Sequence, residues 1–243
     1  MRLEGQKALV TGASRGIGRS IAIAFASEGA DLAITARKAD SLGETASAIS
    51  SAGRRCHPMA WDVTQIAQAG DRLDEAKRSL NGLDIVVNNA GVLRLPEGAS
   101  DQSPEALWDY TMDVNLKALY FLSQTSAAVM REQGSGTLIM IASDAGIRAA
   151  PSAYGISKWG VVGFTKGLAR QMSPHGVRVN AIAPGPVATE MMRWHPGQSM
   201  EASSLPMGRY ALPEEIASVA VFLASDDSAA VFGQVIVVNS ADA

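Results

Sequence analysis

Short apolar segments alternate with longer stretches of helical pattern along almost the whole chain of 243 residues. Three of these segments are Lys7–Thr11 (KALVT), Asp31–Ala36 (DLAITA) and Leu83–Asn88 (LDIVVN). Nearly unbroken apolar strands are typical of a parallel sheet that is covered on both faces, and the intervening helices supply the cover. With right-handed crossovers, the pattern predicts an α/β fold: a doubly wound parallel sheet of about seven strands with helices on both faces.

The same pattern predicts the remaining elements. Further strands are expected at Arg55–Trp61, Thr137–Ala142, Val177–Ala183 and Gln234–Val238, and helices at Ile17–Glu28, Asp40–Ala52, Thr64–Leu80, Pro104–Arg131, Ser152–Met172 and from Pro213 onward. No linker or repeat interrupts them, so we expect one domain over residues 1–243. The segment Thr189–Leu205 is too long for an ordinary connection and is interpreted as a substrate lid or as disorder.

Composition excludes several classes of function. The chain has 21 basic and 24 acidic residues, a net charge of −3, which gives no overall electrostatic case for binding nucleic acid or an acidic membrane. No apolar run is long enough for a membrane span, and no signal peptide is recognised. A single cysteine, Cys56, fits a reducing compartment, so a cytoplasmic location is expected. The three histidines lack metal-ligand spacing, and no metal is predicted.

A glycine-rich loop, Thr11–Gly18 (TGASRGIG), connects the first strand to the first helix. A pyrophosphate needs close approach to the backbone, free N–H groups and the positive end of a helix, and glycine permits the approach because it has no Cβ. The spacing is GxxxGxG, and its alternative interpretation is a tight turn that uses glycine for geometry only. The residues predicted to contact a dinucleotide here are Gly12, Ser14, Arg15, Gly16, Ile17 and Gly18.

The end of the second strand indicates which dinucleotide is preferred. An acid about twenty residues beyond the loop would bind the ribose 2′-hydroxyl of NAD. Here the positions are Ala36 and Arg37, followed by Lys38. A guanidinium suits a phosphate on that ribose, so Arg37 together with Arg15 predicts NADP(H). The alternative is a solvated basic turn.

Three residues predict proton-transfer chemistry beside that cofactor. Tyr154 and Lys158 are four residues apart on a predicted helix and therefore share one face. Ser143 ends the preceding strand, on the side of the sheet where α/β proteins bind ligands. An ammonium and a cationic nicotinamide ring would both favour the phenolate of the tyrosine, and a serine hydroxyl can bind a carbonyl or alcohol oxygen.

The chain resembles the short-chain dehydrogenase/reductase family, with its Rossmann-type fold, over about Leu3–Val238. The likeness rests on several motifs in the family's order: TGxxxGIG at Thr11–Gly18, Asp62-Val63, NNAG at Asn88–Gly91, Asn115 in a D-V-N-L context, Ser143, YxxxK at Tyr154 and Lys158, and N-x-x-x-PG at Asn180–Gly185 followed by Thr189. The chain is similar to 3-oxoacyl-(acyl-carrier-protein) reductase-like members of the family.

The resemblance implies a role for each matching residue. Tyr154 would be the general acid or base, and Lys158 would hold the nicotinamide ribose and lower the pKa of Tyr154. Ser143 would orient the substrate oxygen, and Asn115 would hold a water molecule in a proton relay. Further cofactor contacts are implied for Asp62, Val63, Asn89, Gly91, Pro184, Gly185, Val187 and Thr189. Family members are usually tetramers or dimers, so a homo-oligomer is expected.

Two departures from the family pattern stand out. The C-terminal TG…VDGG pattern is replaced by Phe232-Gly233 and by Val238-Asn239-Ser240-Ala241. Gly134 and His175 stand where reductases acting on carrier-bound substrates have a basic docking patch, which weakens the case for an acyl carrier.

The leading hypothesis is an NADP(H)-dependent oxidoreductase that acts on a small carbonyl or alcohol. One alternative is a dinucleotide-binding sensor or scaffold without turnover. Another is a nucleotide-sugar epimerase or dehydratase, which fits less well because the chain after Gly185 is short for such a substrate region.

Overall fold

A computed structural model describes residues 1–148 and 150–239. Its centre is one sheet of seven parallel strands in the order β3-β2-β1-β4-β5-β6-β7, which confirms the predicted fold class. The strands are β1 Lys7–Thr11, β2 Asp31–Ala36, β3 Cys56–Ala60, β4 Ile85–Asn88, β5 Gly136–Ile141, β6 Val177–Pro184 and β7 Val235–Val238.

Helices cover both faces of the sheet. They are α1 Gly16–Ser27, α2 Gly43–Ser51, α3 Ala69–Leu80, α4 Pro104–Met112, α5 Leu119–Gln133, α6 Ala153–Met172 and α7 Pro213–Ala224. Successive residues of a strand face opposite layers: Ala8 and Val10 pack with α1, α2 and α7, whereas Leu9 packs with α3, α5 and α6. Two apolar cores therefore enclose the sheet, which explains why its strands are apolar on both faces.

The prediction of one continuous helix over Pro104–Arg131 is wrong, because the structure has two helices in this region. Ser103 caps its start by accepting a hydrogen bond from the N–H of Ala106 at 3.1 Å, as expected of a serine before an N-terminal proline. A π-helical turn at Asp113–Ala118 then separates α4 from α5. This turn places Asn115 fully inside the protein. Such wide turns occur mostly at functional sites.

The strand order reverses between β1 and β4. From β1 the chain adds β2 and β3 on one side of the sheet, and it then adds β4 to β7 on the other. In open α/β sheets, ligands bind in the crevice beyond the carboxyl ends of the strands at such a reversal. Within the described residues, no helix is both long and apolar enough to cross a bilayer.

Candidate active site

The crevice opens where the β1–β4 ladder ends. Backbone pairing stops at Val10 and Val87, and side chains connect the two strands beyond that point. The hydroxyl of Thr11 accepts hydrogen bonds from the N–H groups of Asn89 and Ala90 at 3.0 and 3.1 Å. In return, the side-chain amide of Asn89 donates to the carbonyls of Thr11 and Gly12 at 2.8 and 3.1 Å. The strands are thus held apart at a fixed distance.

The glycines of the loop serve both conformation and space. Gly12 and Gly16 adopt positive φ values of 66° and 54°, which glycine tolerates without strain. A Cβ on Gly18 would collide with the carbonyl of Gly12 and the amide of Asn89. Both interpretations of the loop, a tight turn and a dinucleotide site, require these glycines. Ser14 and Ile17 are half-buried in the same loop.

The start of α1 separates the two interpretations. Its N-cap residue is Arg15, whose side chain makes no capping hydrogen bond, and its first turn contains no acidic residue. The first N–H groups of a helix need an acceptor, and the helix dipole makes that end positive. An uncapped N-terminus that follows a glycine-rich loop fits the pyrophosphate of a dinucleotide, and this observation supports a cofactor site.

Other predicted cofactor residues border the same crevice. A Cβ on Gly16 would lie 3.3 Å from Cγ2 of Thr189, so the segment after β6 crosses the loop. Gly185 donates its N–H to the carbonyl of Val238 at 2.8 Å and packs against Asn239, leaving no room for a side chain. Pro184 and Val187 are buried beside it. Of the unusual C-terminal residues, Ser240 and Ala241 lie outside the described residues.

The side that would receive the adenosine is basic. Ala36 ends β2, and Arg37 and Arg15 are exposed; neither has a carboxylate partner among the residues described. Nη1 of Arg37 lies 3.4 Å from the hydroxyl oxygen of Tyr110, a contact that the sequence did not indicate. Asp62 is exposed, and Val63 lines a small cavity at the floor of the crevice.

The four residues implied to be catalytic meet near Gly91. A Cβ on Gly91 would lie 3.4 Å from Oδ1 of Asn115 and 3.6 Å from Nζ of Lys158. Nζ of Lys158 lies 5.7 Å from the ring centroid of Tyr154, on the preceding turn of α6. Ser143, two residues beyond the end of β5, is close enough to Tyr154 to influence the pKa of its phenol. Residues from three elements therefore form one cluster at the crevice.

Lys158 is a buried cation. It is 3% exposed, and its ammonium donates to the carbonyl of Ile141 at 2.7 Å. Burial removes water from the charged form and lowers the pKa of the lysine from 10.5 to about 8. A ribose with its hydroxyl acceptors would give this ammonium the partners that the described part of the chain does not supply.

The resemblance implies that Lys158 lowers the pKa of Tyr154, but in the protein without a cofactor the pKa of Tyr154 is raised. Burial is the largest influence and raises the pKa of the phenol, because the phenolate loses its hydration. The nearby hydroxyl of Ser143 acts in the opposite direction, and the negative charge of Asp144 raises the pKa further. The protein alone therefore favours the neutral phenol, the form that donates a proton.

Asn115 is held by the loop that follows β4. Its Oδ1 accepts from the N–H of Val92 at 2.7 Å, and its Nδ2 donates to the carbonyl of Val92 at 2.9 Å. Both polar atoms of the side chain are occupied. That Asn115 holds a water molecule, as the resemblance implies, stays a prediction.

Thr189–Leu205 forms short turns. A 3₁₀ turn spans Glu190–Met192, and its last residues are tied to the body of the protein by Arg94, which donates to the carbonyl of Met191 at 2.7 Å. Trp194 is half-buried, and its indole N–H donates to the carbonyl of Ser199 at 3.3 Å. Met191 and Met192 are about two-fifths exposed, at 40% and 38%. The segment lies next to the proposed cofactor contacts at Val187 and Thr189.

One buried acid in the site is not predicted from the sequence. Asp144 follows Ser143 directly and is 6% exposed. The signal available was an acidic residue immediately beyond the end of an apolar strand. Its partner Arg148 was also missed, since a spacing of four residues at the surface is common and carries little information.

Comparisons with known proteins identify the family. A family model described as enoyl-(acyl carrier protein) reductase matches residues 12–240. The chain belongs to the short-chain dehydrogenase/reductase family, whose members are oxidoreductases that use nicotinamide dinucleotides and act on alcohols or carbonyls.

Individual relatives cover nearly the full chain. The 3-oxoacyl-[acyl-carrier-protein] reductase FabG of Thermotoga maritima is 36% identical, over 97% of each chain. The D-threitol dehydrogenase of Mycolicibacterium smegmatis is 37% identical, over 98% of this chain and 93% of its own. A short chain dehydrogenase of Burkholderia cenocepacia, solved in complex with NADP, superposes with a TM-score of 0.86 at 30% identity, over 100% of both chains.

The buried Lys158 should make stability depend on pH. Because its folded pKa lies below the unfolded value, the unfolded chain holds the proton more tightly, and stability rises with pH through this interval. Relative to Lys158→Met, the free energy of unfolding of the wild type should increase by about 2 kcal/mol between about pH 7 and about pH 9.5. Urea denaturation of the cofactor-free proteins at one protein concentration measures this, and a constant difference would contradict it.

Proposed function

We propose that this protein is an NADP(H)-dependent oxidoreductase that interconverts a carbonyl and an alcohol, with Tyr154 transferring the proton. The observation that carries the proposal is the cluster of Ser143, Tyr154 and the buried ammonium of Lys158 beside an uncapped helix N-terminus. A protein that only binds a dinucleotide has no need for a half-buried tyrosine and a buried lysine at its crevice. This favours an enzyme over a sensor or scaffold.

The proposed roles follow from the contacts. The nicotinamide ring supplies or accepts the hydride when the dinucleotide is bound. In reduction, Tyr154 donates its proton to the carbonyl oxygen, and the raised pKa keeps the phenol in the neutral form that carries this proton. In oxidation, Tyr154 must accept a proton, and the nearby charges of Lys158 and of an oxidised ring would favour its phenolate. Ser143 orients the substrate oxygen, and Asn115 fixes the loop at Val92.

The proposed cofactor residues surround the crevice from the loop to the segment after β6. They are Gly12, Ser14, Arg15, Gly16, Ile17, Gly18, Arg37, Asp62, Val63, Asn89, Gly91, Tyr154, Lys158, Pro184, Gly185, Val187 and Thr189. Closure of Thr189–Leu205 over the substrate stays a prediction, as does the cytoplasmic location. The names of the two relatives support different substrates, an acyl thioester on a carrier and a small polyol.

Tyr154→Phe tests the central role. The variant keeps the ring that packs near Lys158 and removes the proton donor. We expect unchanged NADPH affinity and a kcat lower by about 10²–10⁴-fold, the range for loss of general acid–base catalysis. Fluorescence titration and steady-state kinetics measure the two quantities. A kcat close to the wild-type value would remove Tyr154 from the mechanism. A wild-type protein that fails to oxidise NADPH with every carbonyl compound tested would favour the sensor.

Arg37 and Arg15 should make the enzyme prefer NADPH to NADH. A guanidinium–phosphate hydrogen bond contributes about 1.5–3 kcal/mol, or roughly 10- to 100-fold. We expect Arg37→Ala to lower kcat/KM for NADPH by that factor while leaving NADH unaffected, and the control Arg78→Ala in α3 to change neither. Equal kcat/KM for the two cofactors in the wild type would contradict the assignment.

We propose further that two or four copies of the chain associate through α4, α5 and α6. Exposed apolar side chains gather on these helices: Trp108, Tyr120, Phe121, Ile156 and Trp159. Trp159 is 63% exposed, and Tyr120 packs edge-on against Phe121 with centroids 5.2 Å apart. Contiguous exposed apolar residues of this kind mark association surfaces. The groove among them contains one acid, Asp113, and one base, Lys117, so no net charge opposes the pairing of identical faces.

Light scattering at micromolar concentration tests the association. We expect a particle of at least twice 25.4 kDa for the wild type and a smaller one for Trp159→Glu. Met207, 46% exposed but outside these helices, provides the control Met207→Glu, which should keep the wild-type mass. A wild-type particle of 25.4 kDa would refute the proposal.

A further inference from the structure

A carboxylate stands inside the proposed active site without a role in the proton transfer. Asp144 begins the 3₁₀ turn Asp144–Gly146, directly after Ser143, and is 6% exposed. Acidic side chains are seldom buried unless they are paired or bind something.

Two contacts fix the position of this carboxylate. Its Oδ2 is 3.1 Å from Nε of Arg148, whose own side chain is half exposed. The turn also packs tightly on α6: a Cβ on Gly146 would lie 2.6 Å from the carbonyl carbon and oxygen of Lys158. Asp144 is therefore held on the same side of the crevice as the turn of α6 that carries Tyr154 and Lys158.

The carboxylate determines what Ser143 can offer a substrate. The serine hydroxyl donates to Oδ1 of Asp144 at 3.0 Å, and its oxygen accepts from the N–H of Ala145 at 3.2 Å. A hydroxyl has only one proton to donate. In this arrangement, Ser143 and Asp144 together present acceptors to the crevice. A substrate hydroxyl matches such a surface, whereas a simple ketone or alkanol brings no second donor.

We propose that Asp144 is a specificity-determining residue that binds a hydroxyl group on the carbon next to the reacting carbon. The substrate class would be a vicinal diol, a polyol or an α-hydroxy ketone. This inference rests on the proposed function and deepens it. Among the described residues, the contacts with Ser143 and Arg148 leave the carboxylate with acceptor capacity for that hydroxyl, because a carboxylate offers about four lone-pair sites.

The redox step leaves the neighbouring hydroxyl unchanged. In reduction, the carbonyl carbon gains the hydride from the reduced nicotinamide, and the carbonyl oxygen gains the proton of Tyr154, which solvent then replaces. In oxidation, both transfers are reversed: the carbinol C–H and O–H bonds break and the C=O bond forms. The second hydroxyl keeps its proton throughout and donates its hydrogen bond to Asp144. A site built to bind a hydroxyl discriminates strongly against an analogue without one, because its polar groups are left unpaired.

Two ketones with the same four-carbon skeleton test the inference. With NADPH, we expect kcat/KM for 3-hydroxybutan-2-one to exceed that for butan-2-one by roughly 100-fold or more in the wild type. Asp144→Asn should reduce this ratio by about 10-fold, and Asp144→Ala should reduce it further, since a charge-assisted hydrogen bond is stronger than a neutral one. In both variants, kcat/KM for butan-2-one should decrease far less than kcat/KM for 3-hydroxybutan-2-one, because butan-2-one has no hydroxyl to donate to Asp144.

Two further variants separate recognition from support of the fold. Arg148→Gln removes the ion pair but leaves the carboxylate, and should largely retain the preference for the hydroxy ketone. Glu75→Gln removes a carboxylate paired with Arg72 at 2.7 Å at the far edge of the sheet, and should leave the ratio unchanged. Thermal melts followed by circular dichroism confirm that each variant is folded.

The possible outcomes bear on different claims. A wild type without preference between the two ketones overturns the inference, as does an Asp144→Asn variant that loses both activities by the same factor. Turnover of an acyl thioester with neither ketone accepted overturns the inference and leaves the proposed function standing. Failure to oxidise NADPH with any carbonyl overturns the proposed function itself.

Discussion

The link between Thr11 and Asn89 is the interaction on which the rest of the site depends. At the point where the sheet changes direction, β1 and β4 can no longer pair through their backbones, and the threonine hydroxyl and asparagine amide replace the missing ladder bonds. These contacts keep the crevice open and hold Gly12 and Gly18 close together. The uncapped start of α1 thereby faces a space that an anion can enter.

The second constraint is the burial of Lys158. An ammonium with a carbonyl as its hydrogen-bond acceptor lowers stability at neutral pH, which explains why its pKa decreases. The same apolar surroundings raise the pKa of Tyr154. The pKa values of the two groups are thus moved apart, a pattern expected where two titratable groups share a proton-transfer site. Local destabilisation here is consistent with a functional site rather than a structural one.

Much of the fold could be predicted from the spacing of apolar residues along the sequence. The strands Lys7–Thr11 and Asp31–Ala36 were predicted to the residue, because runs of apolar residues between glycines and helix caps have few alternatives. The glycine-rich loop could also be predicted, because each of its glycines is required by a positive φ or by a close contact. The π-helical turn was not, because Asn115 bonds to Val92, a residue brought near by tertiary packing alone. Helical periodicity by itself favours a continuous helix across this position.

The residues of the site could be predicted where a sequence motif identifies them. Contacts with residues from other parts of the chain could not be predicted. Spacing placed Tyr154 above Lys158 on one helix face, but the raised pKa of the tyrosine depends on burial, which spacing does not reveal. The packing of turns against neighbouring helices determines the position of Asp144 and the contact between Arg37 and Tyr110. Side-chain positions in loops around a conserved scaffold determine specificity, and sequence pattern alone gives little access to them.

The most direct test of the central claim is isotopic. A carbonyl substrate is reduced with NADPH carrying deuterium at the transferable C4 position of the nicotinamide, and the alcohol is examined by mass spectrometry and NMR. Hydride transfer in this crevice predicts one deuterium on the former carbonyl carbon and a hydroxyl proton derived from solvent through Tyr154. An alcohol without deuterium, or a protein that binds NADPH but leaves every ketone and aldehyde unchanged, would contradict the account.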